Sequence, residues 1–170
     1  VINIVHGLGP NAGQAILEHQ QIRAISFTGG TSTGRIVAEI AAPKFKKLSL
    51  ELGGKNATII LDDADLTIAA KGAARAAFTN SGQVCLCGSM ILIDSKIYDE
   101  FMPLFINEVE AMKVGNPSAE DTEIGSVISL AHMEKVLSYI DLAKQEGGKV
   151  ATGGRRLNLP EPNSYGGDDE

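Results

Sequence analysis

Cysteine is scarce in this chain. Cys85 and Cys87 are its only two in 170 residues, too few for the disulfide framework of a small secreted protein. A bond between them would span a single intervening residue and demand strained geometry. A closed structural zinc site takes about four ligands, and the sequence offers only these two thiols and three scattered histidines, His6, His19 and His132. No metal is expected, and the expected compartment is a reducing one, the cytoplasm. Basic stretches are also missing beyond "KFKK", in a chain of net charge −6. Nucleic acid and anionic membrane are therefore not expected partners. No apolar run approaches the length that spans a bilayer. The start, "VINIVHGLGP", has neither Met nor a charged segment ahead of its apolar run. It reads as the middle of a longer chain and not as a signal peptide.

Glycine, by contrast, is plentiful. There are nineteen, set in clusters, within a composition of 44 % apolar and 21 % charged residues. That balance is ordinary for a globular protein, and the length fits one domain or parts of two. "VINIVHG" reads as a buried strand, "AGQAILEHQ" as a helix and "IRAISFTGG" as a strand. "TSTGRIVAEIAA" reads as a helix with Thr31 or Ser32 as N-cap, stopped by Pro43. "KKLSLELGGK" reads as a third strand. A second set follows: strand "ATIILDD", an Ala-rich helix ending near Asn80 to Gly82, and strand "MILIDS". Next comes a helix with its apolar stripe at Ile97, Phe101, Leu104, Phe105, Val109 and Met112. Another helix carries Val136, Ile140 and Ala143 and closes at Gly147, and "VATGG" reads as a last short strand. Strands alternating with helices predict an α/β fold with parallel strands and crossover helices. The tail "LNLPEPNSYGGDDE" has no periodicity and reads as an exposed loop or frayed end.

Three glycine-rich turns, "HGLGPNAG", "FTGGTSTGR" and "LELGGKN", follow predicted strands. Such turns either cradle phosphates at helix N-termini or are merely tight turns. Glu51 interrupts an apolar strand just before a Gly pair. It either faces solvent or occupies a site, where a desolvated carboxylate makes a stronger general base. The residues around Cys85 and Cys87 leave two readings open, a buried small side chain or a nucleophile.

Three segments, "FTGGTSTGR", "KKLSLELGGKNATIILDDADL" and "FTNSGQVCLCGSMILI", occur in order and at close spacing. Together they resemble the NAD(P)-dependent aldehyde dehydrogenase superfamily. Its acidic signature is matched by Leu50 to Lys55 and its Phe-x-Asn-x-Gly-Gln-x-Cys signature by Phe78 to Cys85. Cys85 lies 34 positions after Glu51, the family's usual separation. Within the superfamily, "KKLSLELGGKN" with "GQVCLCGS" looks most like the 2-aminomuconate semialdehyde dehydrogenase branch. The resemblance covers roughly the middle third of a full-length member. It implies the end of a Rossmann-like cofactor domain over residues 1–53, the first part of an α/β catalytic domain over 54–158, and an irregular acidic tail over 159–170.

The resemblance also implies roles. Cys85 would be the nucleophile, with its backbone N–H as one oxyanion donor, and Cys87 a packing residue. Glu51 would activate the water that hydrolyses a thioester to a free acid. Gly9 and Gly13 match the first cofactor-contacting turn, and Gly29, Gly30, Thr31 and Gly34 match the stretch that faces the pyrophosphate. Phe27 and Leu52 match residues near the nicotinamide and ribose. The implied cofactor is NAD, or NADP. The implied substrate is a small-molecule aldehyde, oxidised to a carboxylic acid through a cysteine thiohemiacetal and thioester, and the full-length parent would be a homo-oligomer. The chain departs from the family at Gly30 (a Ser position), Met90 (an Arg position) and His6 (a Pro position). With the upstream Asn donor and the downstream cofactor clamp outside it, the isolated chain is expected to be inactive. The alternatives are a truncated chain acting as a binding or oligomerisation partner of full-length subunits, and a thiol acyltransferase or esterase using Cys85 without cofactor.

Overall fold

The computed structural model of the protein describes residues 2–158. The chain forms two compact units that divide between Gly54 and Lys55, and each is built around one parallel pair of strands.

In the first unit, Gly9–Gly13 winds into a π-helical turn that leads into the short helix α1 (Gln14–Glu18). Strand β1 (Ala24–Gly29), helix α2 (Thr31–Ala41) and strand β2 (Lys47–Leu52) then make a βαβ unit. The strands pair in parallel from Ala24 opposite Lys47 to Gly29 opposite Leu52. Side chains alternate across a strand, so Leu48, Leu50 and Leu52 are half-buried while Lys47, Ser49 and Glu51 are exposed. Helix α2 packs on the pair and buries Gly34, Val37 and Ala41, a stripe at helical spacing. Gly34 lies close under Leu52: a Cβ there would lie 2.6 Å from Leu52 Cδ2, so a side chain would require the leucine to shift. Pro43 ends α2 because proline brings no N–H to a continuing helix; it sits in a 3₁₀ turn, Ala42–Lys44.

The second unit repeats the plan. Strand β3 (Ala57–Ile60), helix α3 (Leu66–Phe78) and strand β4 (Met90–Ile93) place β3 parallel to β4, with Ala57 opposite Met90. Asp65 starts α3, its Oδ1 accepting from the Thr67 and Ile68 N–H groups at 3.0 and 3.1 Å, which satisfies donors the helix itself cannot. Helix α4 (Tyr98–Ala111) packs against α3, whose alanines permit close approach. The core joins Ile60, Ala70, Ala73, Ile97 and Phe101, and Phe101 stacks on Phe105 with ring centroids 5.8 Å apart. Helix α5 (Leu130–Gln145) is capped by Ser129 Oγ, which accepts from the His132 N–H at 3.2 Å. Gly147, at φ +93°, follows its end.

The α/β plan with parallel strands and intervening helices agrees with the sequence. Four local expectations are corrected. Within "VINIVHG", residues 2–7 form no strand, and Ile2, Ile4 and Val5 are exposed. "VATGG" is likewise not a strand. Both have β-favouring residues, but a strand exists only where a neighbour completes its ladder, and the described residues give neither segment one. The N-cap of α2 is Gly30, without a side-chain capping bond, in place of Thr31 or Ser32. The apolar stripe of α5 is not buried. The tail expected over 159–170 lies outside the described residues. Among the described residues no helix is long and apolar enough to cross a membrane.

Candidate active site

In the second unit, the chain leaves α3 through the 3₁₀ turn Thr79–Gly82, where Asn80, Ser81 and Gly82 take φ of +53°, +56° and +72°. Left-handed backbone costs roughly 1–2 kcal/mol for each residue with a Cβ, so the turn needs support. Ser81 Oγ donates to the Gly125 carbonyl at 3.2 Å, Asn80 Nδ2 to the Gln83 carbonyl at 3.3 Å, and the Gln83 N–H to the Asn80 carbonyl at 3.0 Å. The next segment is tied down at its far end. The Gly88 N–H donates to Ala76 O at 3.0 Å and the Met90 N–H to Asn56 O at 3.2 Å. Within it the Cys87 N–H closes a turn on Val84 O at 3.0 Å. The Asn56 carboxamide donates to the Cys85 carbonyl at 2.6 Å and to the Cys87 carbonyl at 3.2 Å.

Both thiols are free. Cys85 is exposed, whereas Cys87 is 6 % exposed. The pair thus differs in burial, which bears on the two readings that the sequence leaves open. Cys87 is the buried small side chain, and Cys85 presents a thiol to solvent on a hydrogen-bonded loop. Among the described residues no three His, Cys, Asp or Glu side chains gather as a metal site.

The remaining expected site residues belong to the first unit. Gly9, Gly13 and Phe27 line one cavity of about 530 Å³, walled mainly by apolar side chains such as Leu17, Ile36 and Val37 of α1 and α2. Phe27 is half-buried, and its ring folds over Gly29, where a Cβ would come within 2.5 Å of Cζ. Gly30 and Thr31 stand at the start of α2, whose first N–H groups point out of the helix with no carbonyl of their own turn to accept them. Gly30 offers them no side chain, so they are open to an anion. Leu52 covers Gly34. An apolar cleft and a helix start without a side-chain cap are surfaces of the kinds that take a flat base and an anionic phosphate, so the chemistry of these residues is compatible with a nucleotide. Glu51 pairs across β1–β2 with Thr28 and is exposed, so the described residues do not desolvate its carboxylate.

Sequence reasoning missed Asn56, Gly88 and the wall residues of α2. Asn56 carried a usable signal, a side-chain amide at the start of an apolar strand just after a Gly pair. Gly88 and Ile36 carried none, because their contacts come from elements distant in sequence.

Comparison with known proteins places the whole chain. The pattern of the Aldehyde dehydrogenase family matches residues 1–166. The chain is 44 % identical over 168 residues to the 2-aminomuconic semialdehyde dehydrogenase of Bos taurus, covering 98 % of this chain and 34 % of the relative. It is 46 % identical over 155 residues to the 2-aminomuconic 6-semialdehyde dehydrogenase of a Pseudomonas species, covering 91 % and 32 %. Among solved structures, it superposes on betaine aldehyde dehydrogenase from Staphylococcus aureus in complex with NAD+ with a TM-score of 0.86 at 42 % identity, covering 91 % of this chain and 30 % of that one. HpcC from Thermus thermophilus gives a TM-score of 0.87 at 36 % identity, covering 90 % and 30 %. The chain therefore spans about a third of the length of the relatives it matches.

Proposed function

Because this chain belongs to the aldehyde dehydrogenase family, we propose that it carries the nucleophile and general base of an enzyme that oxidises an aldehyde to a carboxylic acid with NAD+. The observation that carries the proposal is the exposed Cys85 thiol, at the end of the Phe78 to Cys85 signature, on a loop hydrogen-bonded to the start of β3. Residues 1–53 act as part of the cofactor domain and residues 54–158 as part of the catalytic domain.

In this reading the Cys85 thiolate adds to the aldehyde carbon. A C–S bond forms, the carbonyl π electrons move to oxygen, and the product is a thiohemiacetal. The Cys85 N–H stabilises the developing oxyanion. The chemistry that a bound nicotinamide supplies is a two-electron acceptor for the aldehyde hydrogen. Cys85 holds the substrate as a thiohemiacetal before that oxidation and as a thioester after it. Glu51 takes a proton from water, the hydroxide oxygen bonds to the thioester carbon, and the C–S bond breaks to release the acid and the thiolate. Gly9, Gly13, Phe27, Gly29, Gly30, Thr31, Gly34 and Leu52 bind and orient the cofactor. The apolar cleft takes the flat base, and the first turn of α2 takes the phosphates.

A reducing, cytoplasmic setting belongs to the same proposal and suits two free thiols, as does a homo-oligomeric full-length protein. The test is steady-state production of reduced cofactor by the full-length protein with a panel of aldehydes that includes 2-aminomuconic semialdehyde. Activity abolished by Cys85→Ala supports the proposal. Full activity in that variant, or turnover without either NAD+ or NADP+, refutes it.

A further inference from the structure

We propose that Asn56 is a positioning residue for the nucleophile, clamping the Cys85 loop through two carbonyl oxygens; this rests on the reading of Cys85 as the nucleophile. The loop from Val84 to Ser89 joins α3 to β4, and packing does not hold its leading half. Val84 is 39 % exposed, Leu86 is 80 % exposed, and Cys85 between them is exposed as well. Cys87 and Gly88 anchor only the trailing end. What fixes the leading half is hydrogen bonding, and among the described residues the one bond that reaches the Cys85 peptide from another element comes from Asn56.

The side chain suits this task. A carboxamide NH₂ carries two hydrogens, and here the two acceptors are the carbonyls of Cys85, at 2.6 Å, and Cys87, at 3.2 Å. Both partners are acceptors only, so the amide must present its nitrogen to them. Holding the Cys85 carbonyl fixes the rotation of the peptide plane that follows Cys85. With the turn through the Cys87 N–H closed on Val84 O, the Cα–Cβ direction of Cys85 is set relative to β3. The same residue's backbone is tied to the sheet, since Asn56 O accepts from the Met90 N–H at 3.2 Å. Asn56 thus transfers the rigidity of the β3–β4 ladder to a loop that has little of its own. Asn56 is itself exposed, and hydrogen bonds open to water add little to global stability. Their loss should register in loop order and in chemistry, not in unfolding.

The experiment uses the full-length protein with Asn56→Ala, Asn56→Ser and Cys85→Ser. Asn56→Ala is expected to speed amide hydrogen exchange about tenfold over residues 84–88 while α3 and β4 keep their protection. It should lower kcat by about tenfold with the KM for NAD+ unchanged, because displacement of a reacting atom by about 1 Å can cost on the order of a hundredfold. Asn56→Ser, which keeps one shorter donor, should recover part of both. Wild-type exchange and kcat in Asn56→Ala overturn the proposal. So does a loss of protection spread evenly over α3 and β4, which marks a merely structural role. If Asn56→Ala does not fold, Asn56→Ser is judged by the same criteria. Cys85→Ser separates the two levels of argument. An active Cys85→Ser protein removes the nucleophile reading, whereas an inactive one beside a fully active Asn56→Ala removes only the positioning role.

Discussion

Gly88 lies so close to Thr58 that a Cβ at position 88 would overlap the threonine Oγ1, with Ala76 Cβ next nearest at 3.4 Å. The tail of the cysteine loop is pressed between β3 and α3, and only a glycine allows it. Thr58 is β-branched and stiff at χ1, so it cannot swing away freely. Gly88→Ala should destabilise the second unit by about 1–3 kcal/mol. Denaturant melts of wild type and variant check this, and an unchanged midpoint would show that the loop yields instead.

The two cysteines differ in exposure, and their chemistry should follow. Brief alkylation with iodoacetamide and peptide mapping is expected to label Cys85 at least about tenfold faster than Cys87, since the thiol must be accessible to react. Preferential labelling of Cys87 would reverse the assignment of the nucleophile.

Glu51→Gln in the full-length protein should leave acylation of Cys85 in place and slow hydrolysis of the thioester by on the order of 10²–10⁴. A burst of reduced cofactor followed by a depressed steady state is the expected trace. A variant lacking the burst would place Glu51 in cysteine activation or in structure.

Phe45 takes φ +52° and is 95 % exposed. Its ring therefore gains little burial to offset the left-handed backbone. Phe45→Asn should stabilise the first unit by about 1 kcal/mol, because asparagine tolerates this conformation better. Thermal unfolding followed by circular dichroism would reveal it, and a lowered midpoint would mean that the ring makes a contact worth more than the strain.

How much of this was legible beforehand depends on the range of the forces involved. The βαβ units around "AISFTG" and "MILI", the acidic start of α3 and the Ile97 to Phe105 stripe could be read because they rest on local periodicity and capping. The candidate nucleophile, base and cofactor glycines were legible only through the family resemblance carried by "LELGG" and "GQVC"; the residues alone left Cys85 open between packing and chemistry, and Glu51 between surface and site. Tertiary structure decided the rest. "VINIVHG" has the residues of a strand, yet pairing is a property of two segments, and no partner lies beside it among the described residues. Cys85 and Cys87 are the same side chain in nearly the same sequence context. Burial of one and exposure of the other comes from how the loop packs between β3 and α3. Asn56 looks like any polar residue at a strand start until folding brings two carbonyls within reach of its amide. Composition and spacing determine which groups are available. Only the folded chain decides which of them meet, because burial and hydrogen bonding act across distances in space that the linear order of residues does not encode.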